Sequence, residues 1–229
     1  ITIGGGFFSA PTSRIEVFDP SSDRWSSLPV SLPRGLAYST AQYLGGRIFI
    51  LGGLSPVQNA QELPVIEQTR MLREIYIFDL DESSIVSGVP MKEQRACATS
   101  AQVGSIIYVF GGKDSPLNQE RMKSCEKLDT RKSPMNWERI APMEDGKGDA
   151  GAVVVNGKVM VVGGFSGQHF LSSVEIYNPS TNTWQRGPSL QAPRSGMGVA
   201  VLDGVDGLEA EVGHLHCPRH TVTLVLELQ

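Results

Sequence analysis

The sequence predicts an all-β fold, a β-propeller of four-stranded antiparallel blades forming an incomplete ring of about four repeats. Three observations predict it. Gly-Gly pairs follow apolar runs at Gly5-Gly6, Gly52-Gly53, Gly111-Gly112 and Gly163-Gly164, with first glycines 47, 59 and 52 residues apart. Trp25, Trp137 and Trp184 keep the same phase, standing 9, 10 and 10 residues before Arg34, Lys147 and Arg194. Residues 150–155 and 159–162 are apolar runs flanking the hairpin dipeptide Asn156-Gly157.

Each repeat reads as a meander of strands a to d. Residues 1–33 hold the end of one copy: a short second strand before the diglycine, a third strand over 14–20, and Trp25 on the fourth. Residues 34–93 form a full copy with its third strand over 74–79, but without the tryptophan, whose place falls near Ile85 or Val86. The copy at 94–145 has a degenerate third strand over 124–129. In the copy at 146–192, a third strand over 173–177 leads through the turn Asn178-Pro179-Ser180-Thr181 to a fourth strand over 182–186. Residues 193–204 begin a further copy with a lone first strand, and residues 205–229 leave the pattern, because Ala210-Glu211 stand where a diglycine is due.

Sheets of this length cannot bury both faces alone, and packing neighbours radially buries them. The paired glycines Gly52, Gly53, Gly111, Gly112, Gly163 and Gly164 then serve positive φ and close chain approach. Phe18, Phe78 and Tyr177, with Trp25, Trp137 and Trp184, supply large rigid area for wedging between blades. Both sets are expected to be structural.

The pattern Arg-x-x-x-Ala, an apolar strand, a Gly-containing turn, a strand ending in Gly-Gly, then Val-Glu-Ile-Tyr-Asn-Pro and a tryptophan resembles the kelch repeat, most clearly over residues 153–184. The resemblance covers residues 1 to about 204. It implies a propeller usually of five to seven blades, so two or more blades are expected to lie outside this chain, with closure by four the minority arrangement. The chain opens on Ile1, on what reads as the end of a strand, which predicts that the natural protein continues upstream. In kelch-like proteins an upstream BTB domain commonly dimerises and engages a cullin-based ubiquitin ligase while the propeller holds the substrate. Other kelch proteins bind actin, and some resemble copper-dependent galactose oxidase or sialic-acid epimerases.

Composition narrows the partner. A net charge of -4 over 229 residues gives no global attraction for nucleic acid or anionic lipid. No stretch approaches the ~20 apolar residues of a membrane helix, and the first residues lack a basic and apolar leader. Three scattered cysteines, Cys97, Cys125 and Cys217, and no usable Asn-x-Ser/Thr acceptor fit a reducing compartment, so a cytoplasmic location is expected. The expected partner is a protein, a ubiquitination substrate or actin, with neither nucleic acid nor membrane.

In an up-and-down meander the b–c and d–a connections share one end of each sheet. The b–c connections are long and variable, 20 residues over 54–73, 11 over 113–123 and 8 over 165–172. The d–a connections deliver Arg34, Arg95, Lys147 and Arg194, and His169 lies on a b–c loop. Basic side chains converging there would favour an acidic peptide. Repeat-phased basic residues are equally what bonding to a neighbouring blade's backbone would produce, and His169 also reads as a solvated loop histidine.

Catalytic and cofactor signals are weak. Residues 146–151 match G-x-G-x-x-G, but they precede a hairpin where a dinucleotide site needs a strand before and a helix after. No nucleophile elbow, P-loop or His-Glu-x-x-His occurs, and Cys97 reads as a small buried hydrophobe. An oxidase or epimerase site needs convergent His, Tyr, Cys or carboxylate groups, and the repeat body offers only His169. His214, His216, Cys217 and His220 superficially suggest zinc, but one cluster in a repeat-breaking segment lacks the paired spacing. No enzyme activity, metal or cofactor is expected.

Overall fold

A computed structural model describes residues 1–5, 11–57, 68–201 and 221–224. Every regular element among them is a strand. They fall into two compact units, Ile1–Ala96 with Lys113–Asn118 and Cys97–Gly112 with Gln119–Gln229. His214, His216, Cys217 and His220 lie outside the described residues.

In the first unit, β1 (Thr2–Ile3), β2 (Ile15–Asp19) and β3 (Arg24–Ser27) form a three-stranded antiparallel sheet. The second sheet begins with β4 (Thr40–Leu44) and β5 (Arg47–Leu51). A separate hairpin of β6 (Leu54–Pro56) and β7 (Thr69–Met71) follows before β8 (Ile75–Asp79) and β9 (Ser84–Ser87) complete the sheet in the order β4-β5-β8-β9. The 20-residue connection read as a plain loop therefore carries a two-stranded ladder. Its core is local: Leu54 and Met71 bury with Ala96.

The second unit repeats the meander twice. The first is β10 (Thr99–Val103), β11 (Ile106–Phe110), β12 (Cys125–Asp129) and β13 (Trp137–Ile140). The next is β14 (Gly151–Val155), β15 (Lys158–Val162), β16 (Val174–Asn178) and β17 (Thr183–Arg186). The segment read as degenerate is a full strand, because Cys125 and Leu128 still bury. β18 (Met197–Ala200) does not stand alone; it pairs in parallel with β19 (Thr221–Leu224). The Asn156-Gly157 turn has φ of 49° and 72°, the two positive values that a two-residue hairpin turn requires.

One hydrogen-bond pattern recurs in the four meander sheets and corrects two sequence alignments. The first glycine of each pair has φ near 60° and the second near 100°: Gly52 and Gly53 at 60° and 106°, Gly111 and Gly112 at 60° and 99°, Gly163 and Gly164 at 59° and 103°. In the first sheet these values belong to Gly4 and Gly5, at 65° and 101°, so the structural pair is Gly4-Gly5 rather than Gly5-Gly6. The second glycine's N–H donates to a carbonyl of the following d–a connection: Gly5 to Leu36, Gly53 to Arg95, Gly112 to Lys147 and Gly164 to Arg194. The same connection residue donates back to the b–c segment, Leu36 to Thr12, Arg95 to Leu72, Lys147 to Met122 and Arg194 to Leu171. Leu36, not Arg34, is thus the counterpart of the other three: Leu36, Arg95 and Lys147 each stand 16 residues before the next first glycine, Gly52, Gly111 and Gly163.

The glycines are required by space as well as by φ. A Cβ on Gly111 would stand 2.1 Å from the Lys147 carbonyl oxygen, and one on Gly52 would stand 2.4 Å from that of Arg95.

In the second unit aromatic rings of adjacent sheets pack together. Tyr177 is buried with Tyr108, Phe110 and Cys125 of the preceding sheet and with Met143 of the connection that follows it, and Trp184 packs against the same cluster. Its Nε1–H donates to the Ala141 carbonyl at 2.7 Å. Asn182, at φ 53°, offers one oxygen both to the Tyr177 hydroxyl at 2.9 Å and to the Ala141 N–H at 2.9 Å. Trp137 is fully buried, and in the first unit Phe78 buries with Ile15, Leu32 and Leu36. Trp25 differs: its ring lies 5.3 Å from that of Phe18, yet it is 56% exposed. No described segment covers it.

Candidate functional site

The b–c and d–a connections leave each sheet at the same end, and the five residues expected to contact a partner divide sharply there. Arg95 is buried, with its side chain wholly covered and one guanidinium nitrogen 2.9 Å from Glu93 Oε2. Lys147 is also wholly covered. Its ammonium donates to Ser173 Oγ at 2.6 Å and to the carbonyls of Ser173 at 3.1 Å and Gly163 at 3.4 Å. It lies 3.7 Å from Glu175 Oε1 and 4.0 Å from Asp145 Oδ2. Burial pushes this ammonium's pKa down, while Glu175 and Asp145 oppose the shift. The expectation that Arg95 and Lys147 face a partner is corrected accordingly. Their charges are spent inside the scaffold, that of Arg95 on Glu93 and that of Lys147 on Ser173, Glu175 and Asp145.

The Lys147 network links neighbouring sheets. Its carbonyl accepts from Gly112 after β11, while its ammonium reaches Ser173 and Gly163 beside β15 and β16. Glu175, 1% exposed, accepts from the N–H groups of Glu144 at 2.7 Å and Asp145 at 3.2 Å. A buried carboxylate satisfied by two amides and a cation is stable there; one left without its cation is not.

The remaining three stay reachable. Arg194 is half-buried, its Nε–H 3.4 Å from the Ala192 carbonyl oxygen. His169 is exposed and sits in a tight turn in which its N–H donates to Ser166 Oγ at 3.0 Å. Phe170 beside it is 62% exposed although its ring lies 5.4 Å from that of Phe165. Two b–c loops brace each other here: the Arg121 N–H donates to the Ser166 carbonyl at 3.2 Å, and its guanidinium lies 5.1 Å from the centre of the Phe165 ring. The exposed turn thus stands on a fixed base.

Arg34 is half-buried and, with Gly35, forms one wall of a cleft of about 500 Å³ whose other wall is Ser55, Pro56, Val57 and Arg70. Sequence reasoning missed Ser55 and Arg70. They sit opposite each other on β6 and β7, and only the structure shows that hairpin inside the long connection. Among the described residues no cluster of His, Cys, Asp and Glu could hold a metal ion, and no helix is long and apolar enough to cross a membrane.

Comparison with known proteins agrees with this architecture. The kelch motif profile matches residues 1–29, 94–144 and 147–191, more than half of the chain. Its gap falls on the copy without a tryptophan. The chain is 29% identical over 223 residues to spermatocyte protein spe-26 of Caenorhabditis elegans, covering 92% of this chain and 37% of that protein. It is 26% identical over 186 residues to kelch-like protein 23 of Homo sapiens, covering 80% and 30%. The chain therefore spans roughly a third of the length of these relatives. Among solved structures, YjhT superposes with a TM-score of 0.73 at 14% identity, over 86% of this chain and 69% of that one, a likeness of fold. With the repeated diglycine lock, the four-stranded blades and the matching motif, this chain belongs to the kelch-repeat family as a kelch-type β-propeller.

Proposed function

We propose that this chain is a protein-interaction module that holds a partner on its b–c and d–a loops, as the substrate-recognition part of a cytoplasmic adaptor for a cullin-type ubiquitin ligase. The observation that carries the interaction reading is the contrast at the loop end. Arg95 and Lys147 are bonded internally, while Phe170 and His169 stand exposed on a turn braced by Arg121 and Phe165. An exposed aromatic on a rigid loop buries area on binding at little entropic cost. The kelch-like relatives support the same reading. The adaptor assignment follows from what the family resemblance implies, with actin as the alternative partner.

The test is affinity capture from lysate with the whole chain and with a Phe170→Ala, His169→Ala variant, with retained proteins identified by mass spectrometry. A ubiquitination substrate retained by the chain and lost by a variant of unchanged melting temperature is expected. Co-sedimentation with actin filaments would replace the adaptor reading by the cytoskeletal one, and identical capture by both chains would remove these residues from the site.

A further inference from the structure

We infer that Asp149 and Arg121 form an acid-released latch in the second unit: the ionised Asp149 carboxylate holds the Arg121 guanidinium, which sets the position of the turn carrying His169 and Phe170. The latch rests on the interaction-module reading for its consequence, because that turn is the proposed contact, and it gives the contact a regulation. Tyr38, Cys97, Asp149 and Gly196 each stand two residues after Leu36, Arg95, Lys147 and Arg194, at φ of 55°, 57°, 52° and 66°. Asp149 alone among these four carries a carboxyl group.

The backbone of Asp149 is pinned from both sides. Its N–H donates to the Cys97 carbonyl at 2.8 Å, and its own carbonyl accepts from the Gly196 N–H at 2.8 Å and from the Ser195 hydroxyl at 3.4 Å. Its carboxyl group hydrogen-bonds with the Cys97 side chain, just before β10, and feels the charge of Arg121 from the 113–123 connection. From the segment before β18 the facing groups are the Ser195 hydroxyl and the Gly196 amide, and neither carries a charge. Burial pushes the Asp149 pKa up from 3.8, while Cys97 and Arg121 favour the ionised form.

Arg121 lies between this acid and the turn. A Cβ on Gly148, the residue before Asp149, would stand 2.7 Å from Arg121 Nε and 2.8 Å from its Cδ. The Nε–H is buried and makes no hydrogen bond. The guanidinium is held instead by one bond from Nη1 to the Gln119 carbonyl at 3.0 Å, by the Phe165 ring 5.1 Å away and by the Asp149 charge. Gly148 and Phe165 exchange backbone hydrogen bonds at 2.9 and 2.8 Å, and Phe165 bridges to Phe170 with ring centres 5.4 Å apart. The Ser166 N–H closes the turn on the His169 carbonyl at 2.9 Å. One ring thus carries a displacement of the guanidinium to the exposed turn. Protonating Asp149 removes its attraction and leaves the Gln119 carbonyl and the Phe165 ring as the remaining holds.

Fluorine NMR of the whole chain labelled with para-fluorophenylalanine tests this, with the Phe165 and Phe170 signals assigned from Phe165→Leu and Phe170→Leu. Both signals are expected to shift together on acidification, with one midpoint above 3.8. Asp149→Asn, whose amide suits φ 52°, and Arg121→Gln should each abolish that titration. At neutral pH Asp149→Asn should show the signals where the parent shows them in acid. His169→Gln should keep the titration, because its imidazole is the other group on the turn that changes charge near neutrality. The folded pKa of Asp149 is raised, so its contribution to stability is full below 3.8 and is lost as pH rises through the folded value. Asp149→Asn should therefore melt no lower than the parent at neutral pH, which separates a lost latch from a damaged fold. Signals that do not titrate in the parent, a titration that persists in Asp149→Asn or Arg121→Gln, or one that disappears in His169→Gln would overturn the latch. If the signals titrate as expected while the Phe170→Ala, His169→Ala chain captures the same lysate proteins as the parent, the latch stands and the turn is not the contact.

Discussion

Replacing Lys147 by Met keeps the length of the side chain and deletes its charge from a site that is wholly covered. Glu175, 1% exposed, would keep its bonds from the Glu144 and Asp145 amides but lose the ammonium 3.7 Å away. Ser173 would lose a donor at 2.6 Å to its hydroxyl, which itself donates to Asp145 Oδ2 at 2.7 Å. Breaking a buried pair by removing one member costs about 3–5 kcal/mol, because the other charge stays buried. At about 2–4 °C per kcal/mol for a chain of this size, the melting temperature should fall by about 6–20 °C, read by calorimetry or circular dichroism. Adding Glu175→Gln to Lys147→Met should restore part of that loss, with a coupling of about 0.5–3 kcal/mol between the two sites. The pH dependence has a definite sign. Because the folded pKa of Lys147 is lowered below 10.5, the unfolded chain binds the extra proton, so this group's contribution to stability rises with pH from the lowered value up to 10.5. The Met variant should lose that rise. A melting temperature within about 2 °C of the parent, together with lost partner capture, would refute the reasoning and return Lys147 to the binding surface.

Two further contrasts test the scaffold. Gly111→Ala brings a Cβ to 2.1 Å from the Lys147 carbonyl oxygen at φ 60°, whereas Gly157→Ala meets nothing within 4 Å at φ 72°. The second should cost about 1 kcal/mol by thermal melting, from backbone strain alone, and the first markedly more or prevent folding. Trp184→Phe keeps an aromatic ring but deletes the 2.7 Å bond to the Ala141 carbonyl, costing about 1–3 kcal/mol in urea denaturation, while Trp25→Ala, already 56% exposed, should cost less than its Trp184 counterpart.

The repeat itself was legible in the sequence because its signals are local. A glycine at positive φ, Asn-Gly in a two-residue turn and alternating apolar residues each state their backbone geometry without knowledge of distant neighbours. That is why the four-stranded order could be read from one chain. The first-copy alignment slipped because Gly4, Gly5 and Gly6 are identical letters, and only φ and the bond to Leu36 tell which two form the pair. Arg34 was aligned with Arg95, Lys147 and Arg194 because a basic residue stands near the right spacing, although the position is occupied by Leu36.

Side-chain destination was the other thing only tertiary structure decided. Arg95 and Lys147 look the same in sequence as residues awaiting an acidic partner, yet whether a cation faces water or a carboxylate, Glu93 two residues from Arg95 or Glu175 28 residues from Lys147, depends on packing. Ser55 and Arg70 are ordinary letters in a long connection until the ladder pairs them beside Arg34. The sequence by itself determined the kelch architecture, through backbone preferences that act over a few residues. Which of its charged groups hold the blades together and which remain for a ligand was decided by burial and by which hydrogen-bonding groups the folded chain leaves unsatisfied.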